Sequence, residues 1–142
     1  MKTNIKSDLK KAKNLLQKKG YTCVFIKDEN IIFSSERGVK PLLEILDNNQ
    51  TLFNFSVCDK VVGKAAAFLY VLLEIKEIFA FVISDLAVEI LEENGIKVYY
   101  KTKVKRIENR NKDGFCPMEE AVLNCKNPKE GYFLIKEKLK TL

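Results

Sequence analysis

The sequence predicts an α/β fold, a three-layer α/β/α sandwich built on a mixed sheet of about five strands. Three observations predict it. Two short β-branched and aromatic runs near the front, joined by a polar turn, have the pattern of an antiparallel hairpin. From about residue 52 the segments alternate strand, helix, strand, helix, strand with short connections, which calls for right-handed crossovers and parallel pairing. One of those strands, "IFAFVI" (78–83), is apolar throughout, as expected for a strand covered on both faces.

Each element has its own signal. Ile5, Leu9, Ala12 and Leu16 recur at helical spacing, so residues 4–18 form an amphipathic helix that Gly20 ends. "YTCVFI" (21–26) and "IIFSS" (31–35) flank "KDEN" and make the hairpin. "SERG" opens a short helix through "VKPLLEILDNN", with Pro41 in a first turn that tolerates a missing N–H. "TLFNFSV" (51–57) is a further strand or an extended lead-in to "VCDKVVGKAAAFLY" (57–70), where Asp59 is the expected N-cap of a very hydrophobic helix over 60–74. "SDLAVEILEENG" has a Ser/Asp helix start and a Gly95 stop, and "IKVYYKTKVKRI" (96–107) is the next strand. "NRNKDG" is a turn-rich loop, "CPMEEAVLN" (116–124) begins a helix with Pro117 at its first position, and Asn127–Pro128 precede a last helix.

At 142 residues the chain is expected to be one domain, 1–142, able to bury one sizeable core. No apolar run approaches the roughly 20 residues that span a bilayer, and the first residues lack a signal-type apolar stretch, so the expected location is cytoplasmic. Histidine is absent, which removes Ser-His-Asp triads and the commonest metal ligand. The four cysteines form no C-x-x-C pair, and no disulfide is expected in a reducing compartment. The formal charge is +6, but the lysines fall in three separate regions without a nucleic-acid motif, so solvated faces account for them.

The order of elements, with the hairpin first, resembles the cytidine-deaminase-like fold, chiefly over "IFAFVISDLAVEILEENGIKVYY". In the zinc deaminases an apolar strand runs into P-C-x-x-C. Here Ser84 and Asp85 stand in the place of the Pro and first Cys, and Val88 in that of the second Cys. Those enzymes open the preceding helix with H-x-E or C-x-E, whereas Cys58, Asp59 and Lys60 hold that place here. Zinc deamination needs three N/S ligands and a glutamate proton shuttle. The resemblance therefore implies the scaffold without the zinc chemistry, and no cofactor is expected. "DKVVGKAAA" together with "CPMEEAV" looks like an uncharacterised prokaryotic family, a domain of unknown function whose structural relatives have this fold.

Candidate site residues follow from the expected helix start. Lys60 and Lys64, four apart beside Gly63, would share one helix face. Cations at a positive helix end are best accommodated by a bound anion such as phosphate or carboxylate. The plainer reading is that both snorkel into water, with Asp59 compensating. Cys58, next to that start, would carry a depressed thiol pKa. Cys116, at the expected N-cap of "CPMEE", and Glu119, in its first turn, are either caps or partners in chemistry with Cys58 and Lys60. Asp85 is an N-cap first and a site residue by its place in the fold. Zinc held by Cys58, Cys116 and Asp85 is the less favoured alternative. Arg37 and Ser35 lie on a loop able to reach the same sheet edge, while Cys23 and Cys125 read as packing and inert.

The expected function is binding of a small anionic ligand, a nucleotide or phosphorylated metabolite, at the start of the 60–74 helix. Cys58 or Cys116 would supply any covalent chemistry. The alternative is a non-catalytic homodimer module using the aromatic strand "VYYK". Neither a membrane nor nucleic acid is an expected partner.

Overall fold

The computed structural model describes residues 2–108 and 116–141, with side chains in the first helix from Asp8 onward. The Ile5 side chain and the "NRNKDG" loop therefore lie outside the described residues. Five strands form one sheet in the order β2-β1-β3-β4-β5. β1 (Cys23–Lys27) and β2 (Asn30–Ser34) are the antiparallel hairpin, turning through Asp28 and Glu29 with Asp28 at φ 55°. β3 (Ser56–Val62) runs antiparallel to β1, and then β4 (Glu77–Ser84) and β5 (Lys97–Val104) continue in parallel. The mixed sheet is as the sequence predicts.

Side-chain alternation sorts the strands into two cores. Val24, Ile26 and Cys58 pack under α1 (Lys2–Lys19), against Ala12 and Leu16. Phe25, Val57, Ile78 and Ala80 face the larger core, which is covered by α2 (Lys40–Asp47), α3 (Lys64–Leu73) and α4 (Asp85–Glu93). The short α5 (Pro117–Ala121) and the final α6 (Pro128–Leu139) close that side, where Gly131 lets α6 approach the Phe68 ring of α3. Asp47 at the end of α2 ties α6 down, accepting from the Tyr132 hydroxyl and pairing with Lys136 at 2.9 Å.

Three expected boundaries move. The segment 51–57 is not a strand along its length: Leu52 N–H donates to Leu73 O at 2.9 Å and Asn54 N–H to Glu74 O at 3.1 Å, so it turns against the end of α3. The strand that follows is β3, and it takes in Cys58, Asp59 and Lys60, which were expected at a helix start. Val57, Val61 and Val62 are β-branched and the neighbouring β1 and β4 offer ladders, so the strand persists to Val62. The helix begins only at Lys64, with Gly63 at its N-cap in an extended conformation. Likewise "SERG" is loop, and α2 starts at Lys40 after Gly38, which stands at φ 71°. α3 itself is buried almost all round, from Ala65 to Leu73, which suits a helix at the centre of a layer.

Candidate functional site

At the carboxyl end of β3 the chain leaves the sheet through Gly63 and enters α3. The first free N–H groups of this helix are taken up by a side chain 55 residues away. Glu119 Oε1 accepts from Lys64 N–H at 2.7 Å, and Oε2 accepts from Ala65 N–H at 2.8 Å. The carboxylate is 8% exposed and lies where a Cβ on Gly63 would have to be. Burial pushes its pKa up, and the two backbone bonds and Lys64 pull against that. The place that the sequence reading gave to an external anion at the helix start thus holds an internal one.

Beside this cap lies a cleft of about 460 Å³, bounded by the start of β1, the end of β3, the loop before α2 and α5. Its walls are mostly apolar, including Val39, Ala66 and Met118. Its polar groups are few: Arg37 and Lys60 are exposed, and Asp59 and Glu119 lie deeper. Among the described residues neither Arg37 nor Lys60 is ion-paired. Asp59 is half-buried, faces the α3 side of the sheet and accepts a 2.6 Å hydrogen bond on Oδ2 from the Tyr70 hydroxyl. Its Oδ1 has a long contact, 3.4 Å, with Val61 N–H. Burial raises the Asp59 carboxyl to about 6, although the Tyr70 and backbone bonds favour its ionised form. Tyr70 is fully buried, edge-on to Phe25, and its own pKa is pushed well above the usual value by burial and by Asp59. It therefore stays a hydrogen-bond donor.

The fold brings together Asp59, Lys60, Gly63, Cys116 and Glu119, and adds Arg37 from the loop, but not Ser35. The other expected members lie elsewhere. Cys58 points to the opposite face of the sheet, under α1, and burial raises its thiol to about 12. The expected activation is reversed, because a strand residue at the middle of a sheet has desolvation and no helix dipole beside it. Lys64 does not share a face with Lys60. Its Nζ donates to Leu123 O at 3.1 Å, in a separate cleft of about 230 Å³ that includes Ser84 and Leu86. Asp85 is exposed and lines neither cleft; the N-cap of α4 is Ser84, whose hydroxyl accepts from Ala87 N–H at 3.2 Å.

Cys116 does precede α5 as expected, in the N-cap position but without a side-chain cap bond. Cys23 is buried beside the cleft with its thiol pKa raised by burial, and Cys125 is buried. Among the described residues no three His, Cys, Asp or Glu side chains are grouped to hold a metal ion. The residues expected to hold zinc are not brought together: Cys58 lies under α1, Asp85 is exposed outside the cleft, and of the three only Cys116 borders it. Nor is any helix among the described residues long and apolar enough to cross a membrane. Tyr70 is the member that sequence reasoning missed. It lies in the middle of a core helix, and nothing local says that its hydroxyl meets a strand carboxylate.

Fold and site together define a mixed α/β protein with a small, apolar-walled cleft at the carboxyl edge of its sheet, the usual place for ligands in open α/β sheets. The family model for a domain of unknown function (DUF1893) matches residues 11–139, and the chain belongs to that family. The resemblance read from "DKVVGKAAA" and "CPMEEAV" is thereby borne out. The crystal structure of a DUF1893 family protein from Thermotoga maritima is similar with a TM-score of 0.84 and 29% identity, covering 96% of this chain and 91% of that one. The apo dCMP deaminase of cyanophage S-TIM5 is a weaker match, with a TM-score of 0.43 and 11% identity over 73% of this chain and 99% of that one. No curated protein matches the chain significantly.

Proposed function

We propose that the chain binds a small anionic ligand, a nucleotide or a phosphorylated metabolite, in the cleft between β3 and α5, without zinc-dependent deamination. The observation that carries this reading is Arg37, without an ion-pair partner among the described residues, on an apolar-walled cavity of about 460 Å³, with Lys60 on its rim where it also borders the cleft beside Leu16 and Phe81 on the α1 side. Because Glu119 already satisfies the start of α3, side-chain cations rather than free helix N–H groups would hold the anion. Arg37 can offer a planar fork and Lys60 a point charge. Lys64 and Asp85 have no part in this version of the site.

Thermal-shift titration with nucleoside monophosphates, ribose 5-phosphate and inorganic phosphate tests the proposal. The wild-type protein should be stabilised by at least one organic phosphate, and Arg37→Ala and Lys60→Ala should each reduce that shift. A wild-type protein indifferent to every anion would end this reading. The alternative, a homodimer through the β5 edge, draws support from exposed Tyr99 and Tyr100. Lys97, Lys101 and Lys103 on the same edge strand count against self-pairing, since like charges on an edge oppose it.

A further inference from the structure

We infer that the Asp59–Tyr70 pair makes this cleft selective for bipolar ligands, molecules carrying an N–H donor head at one end and an anionic group at the other. The inference rests on the cleft reading above and adds the chemistry of the end away from the phosphate.

The cleft has opposite charge character at different depths. Arg37 and Lys60 are exposed positions, whereas Asp59 is half-buried and held from beneath by a helix residue. Tyr70 comes from the core helix α3 and is fully buried, so its hydroxyl cannot swing away. Its 2.6 Å bond fixes the carboxyl plane and uses Oδ2. Beyond the Tyr70 bond the carboxylate accepts only from amides of its own strand, those of Lys60 and, at 3.4 Å, Val61, so it retains acceptor capacity. A carboxylate placed in apolar surroundings with one oxygen immobilised and the other under-used is suited to a donor N–H or a protonated nitrogen. A simple phosphate would gain from the two cations and be repelled by Asp59. A molecule long enough to place a nitrogen head at Asp59 and an anion at Arg37 and Lys60 turns that repulsion into a second anchor.

The groups facing Asp59 allow the proton balance to be stated. From α3 there is Tyr70, which stays protonated, and from β1 there is the buried Cys23 thiol. Cys58 lies on its own strand but faces away, and Arg37, Lys60, Cys116 and Glu119 line the same cleft. With its carboxyl raised to about 6, Asp59 is partly protonated in the empty cleft at pH 6. Pairing with an N–H donor favours the ionised form, so binding releases the Asp59 proton near pH 6 and none at pH 8, over and above the proton that any phosphate, with its own second pKa of about 6, gives up on meeting a cation.

Isothermal titration calorimetry of the wild-type chain with adenosine monophosphate, cytidine monophosphate, ribose 5-phosphate and inorganic phosphate tests this. Titrations at pH 6 and pH 8 should each be run in two buffers of different ionisation enthalpy. At least one base-bearing probe should bind tenfold or more tightly than ribose 5-phosphate, and at pH 6 it should release more protons than ribose 5-phosphate does. Asp59→Asn should bring the proton release down to that of ribose 5-phosphate and shrink the preference, while Arg37→Ala should weaken all phosphates alike. Equal affinity for ribose 5-phosphate and both nucleotides would overturn the bipolar inference and leave the anion-binding reading standing. A base-bearing probe that releases no more protons at pH 6 than ribose 5-phosphate would also overturn it, on wild-type protein alone. No binding by any probe would remove both.

Discussion

The carboxylate of Glu119 occupies the space that a side chain at Gly63 would need. It bonds to the two amides that follow, 2.7 Å from Lys64 N and 2.8 Å from Ala65 N. Gly63 has an extended backbone that any residue could adopt, so its lack of a Cβ matters for space and not for conformation. α5 is thereby pinned to the start of α3, and one wall of the cleft is set by that contact.

Gly63→Ala should displace the carboxylate and destabilise the protein by about 2–3 kcal/mol, the cost of a lost helix cap plus a buried group left unpaired. In a Glu119→Ala background the same substitution should cost less than about 1 kcal/mol, because the obstacle is gone. Urea unfolding of the four proteins measures the coupling. Additive costs would show that the two residues act independently.

Stability should rise as the pH falls from about 7.5 to 5. Asp59 has a carboxyl raised from 3.8 to about 6, so the folded state binds more protons than the unfolded one in that interval. Its stabilising contribution is complete below pH 3.8 and is lost as the pH rises through 6, an effect of about 3 kcal/mol for a change of this size. Glu77 and Glu119, both raised by burial, act in the same direction. Denaturation curves across this interval should show Asp59→Asn as the flatter profile and the more stable protein at pH 8. A wild-type profile that falls with acidification in this interval contradicts the assignment.

Thiol chemistry should be confined to one position. Cys23, Cys58 and Cys125 are buried, and only Cys116 is partly open, on the cleft. Titration of the native protein with a chromogenic disulfide should give one fast equivalent, absent in Cys116→Ser, and three more on unfolding. Two or more fast equivalents, or a fast phase that survives in Cys116→Ser, would refute this.

Gly131 sits in a helix, where alanine would ordinarily help by up to about 1 kcal/mol. A Cβ there would stand 2.7 Å from a ring carbon of Phe68, so Gly131→Ala should lower the melting temperature instead. Combining it with Phe68→Leu should recover part of the loss relative to Phe68→Leu alone. A stabilised single variant would show that α6 is free to shift.

What the sequence by itself determined was the order of elements and the character of the layers. β-Branched and aromatic runs around the polar turn "KDEN", an apolar strand at 78–83, and stop signals at Gly20 and Gly95 are local, and local backbone chemistry settles them. The end of β3 and the start of α3 were not local. "VCDKVVGKAAAFLY" carries valines suited to a strand and alanines suited to a helix, and the ladders offered by β1 and β4 decided how far the strand runs. That shift of the helix start to Lys64 reversed the chemistry of Cys58, separated Lys60 from Lys64, and put Asp59 on the face where Tyr70 meets it. The anion expected at the helix start proved to be Glu119, and no spacing rule links a glutamate to amides 54 and 55 residues earlier. Motifs told which residue types were present. Only the packing of α5 and α3 against the sheet edge decided which of them share a cleft, because that depends on contacts between parts of the chain that local propensity cannot relate.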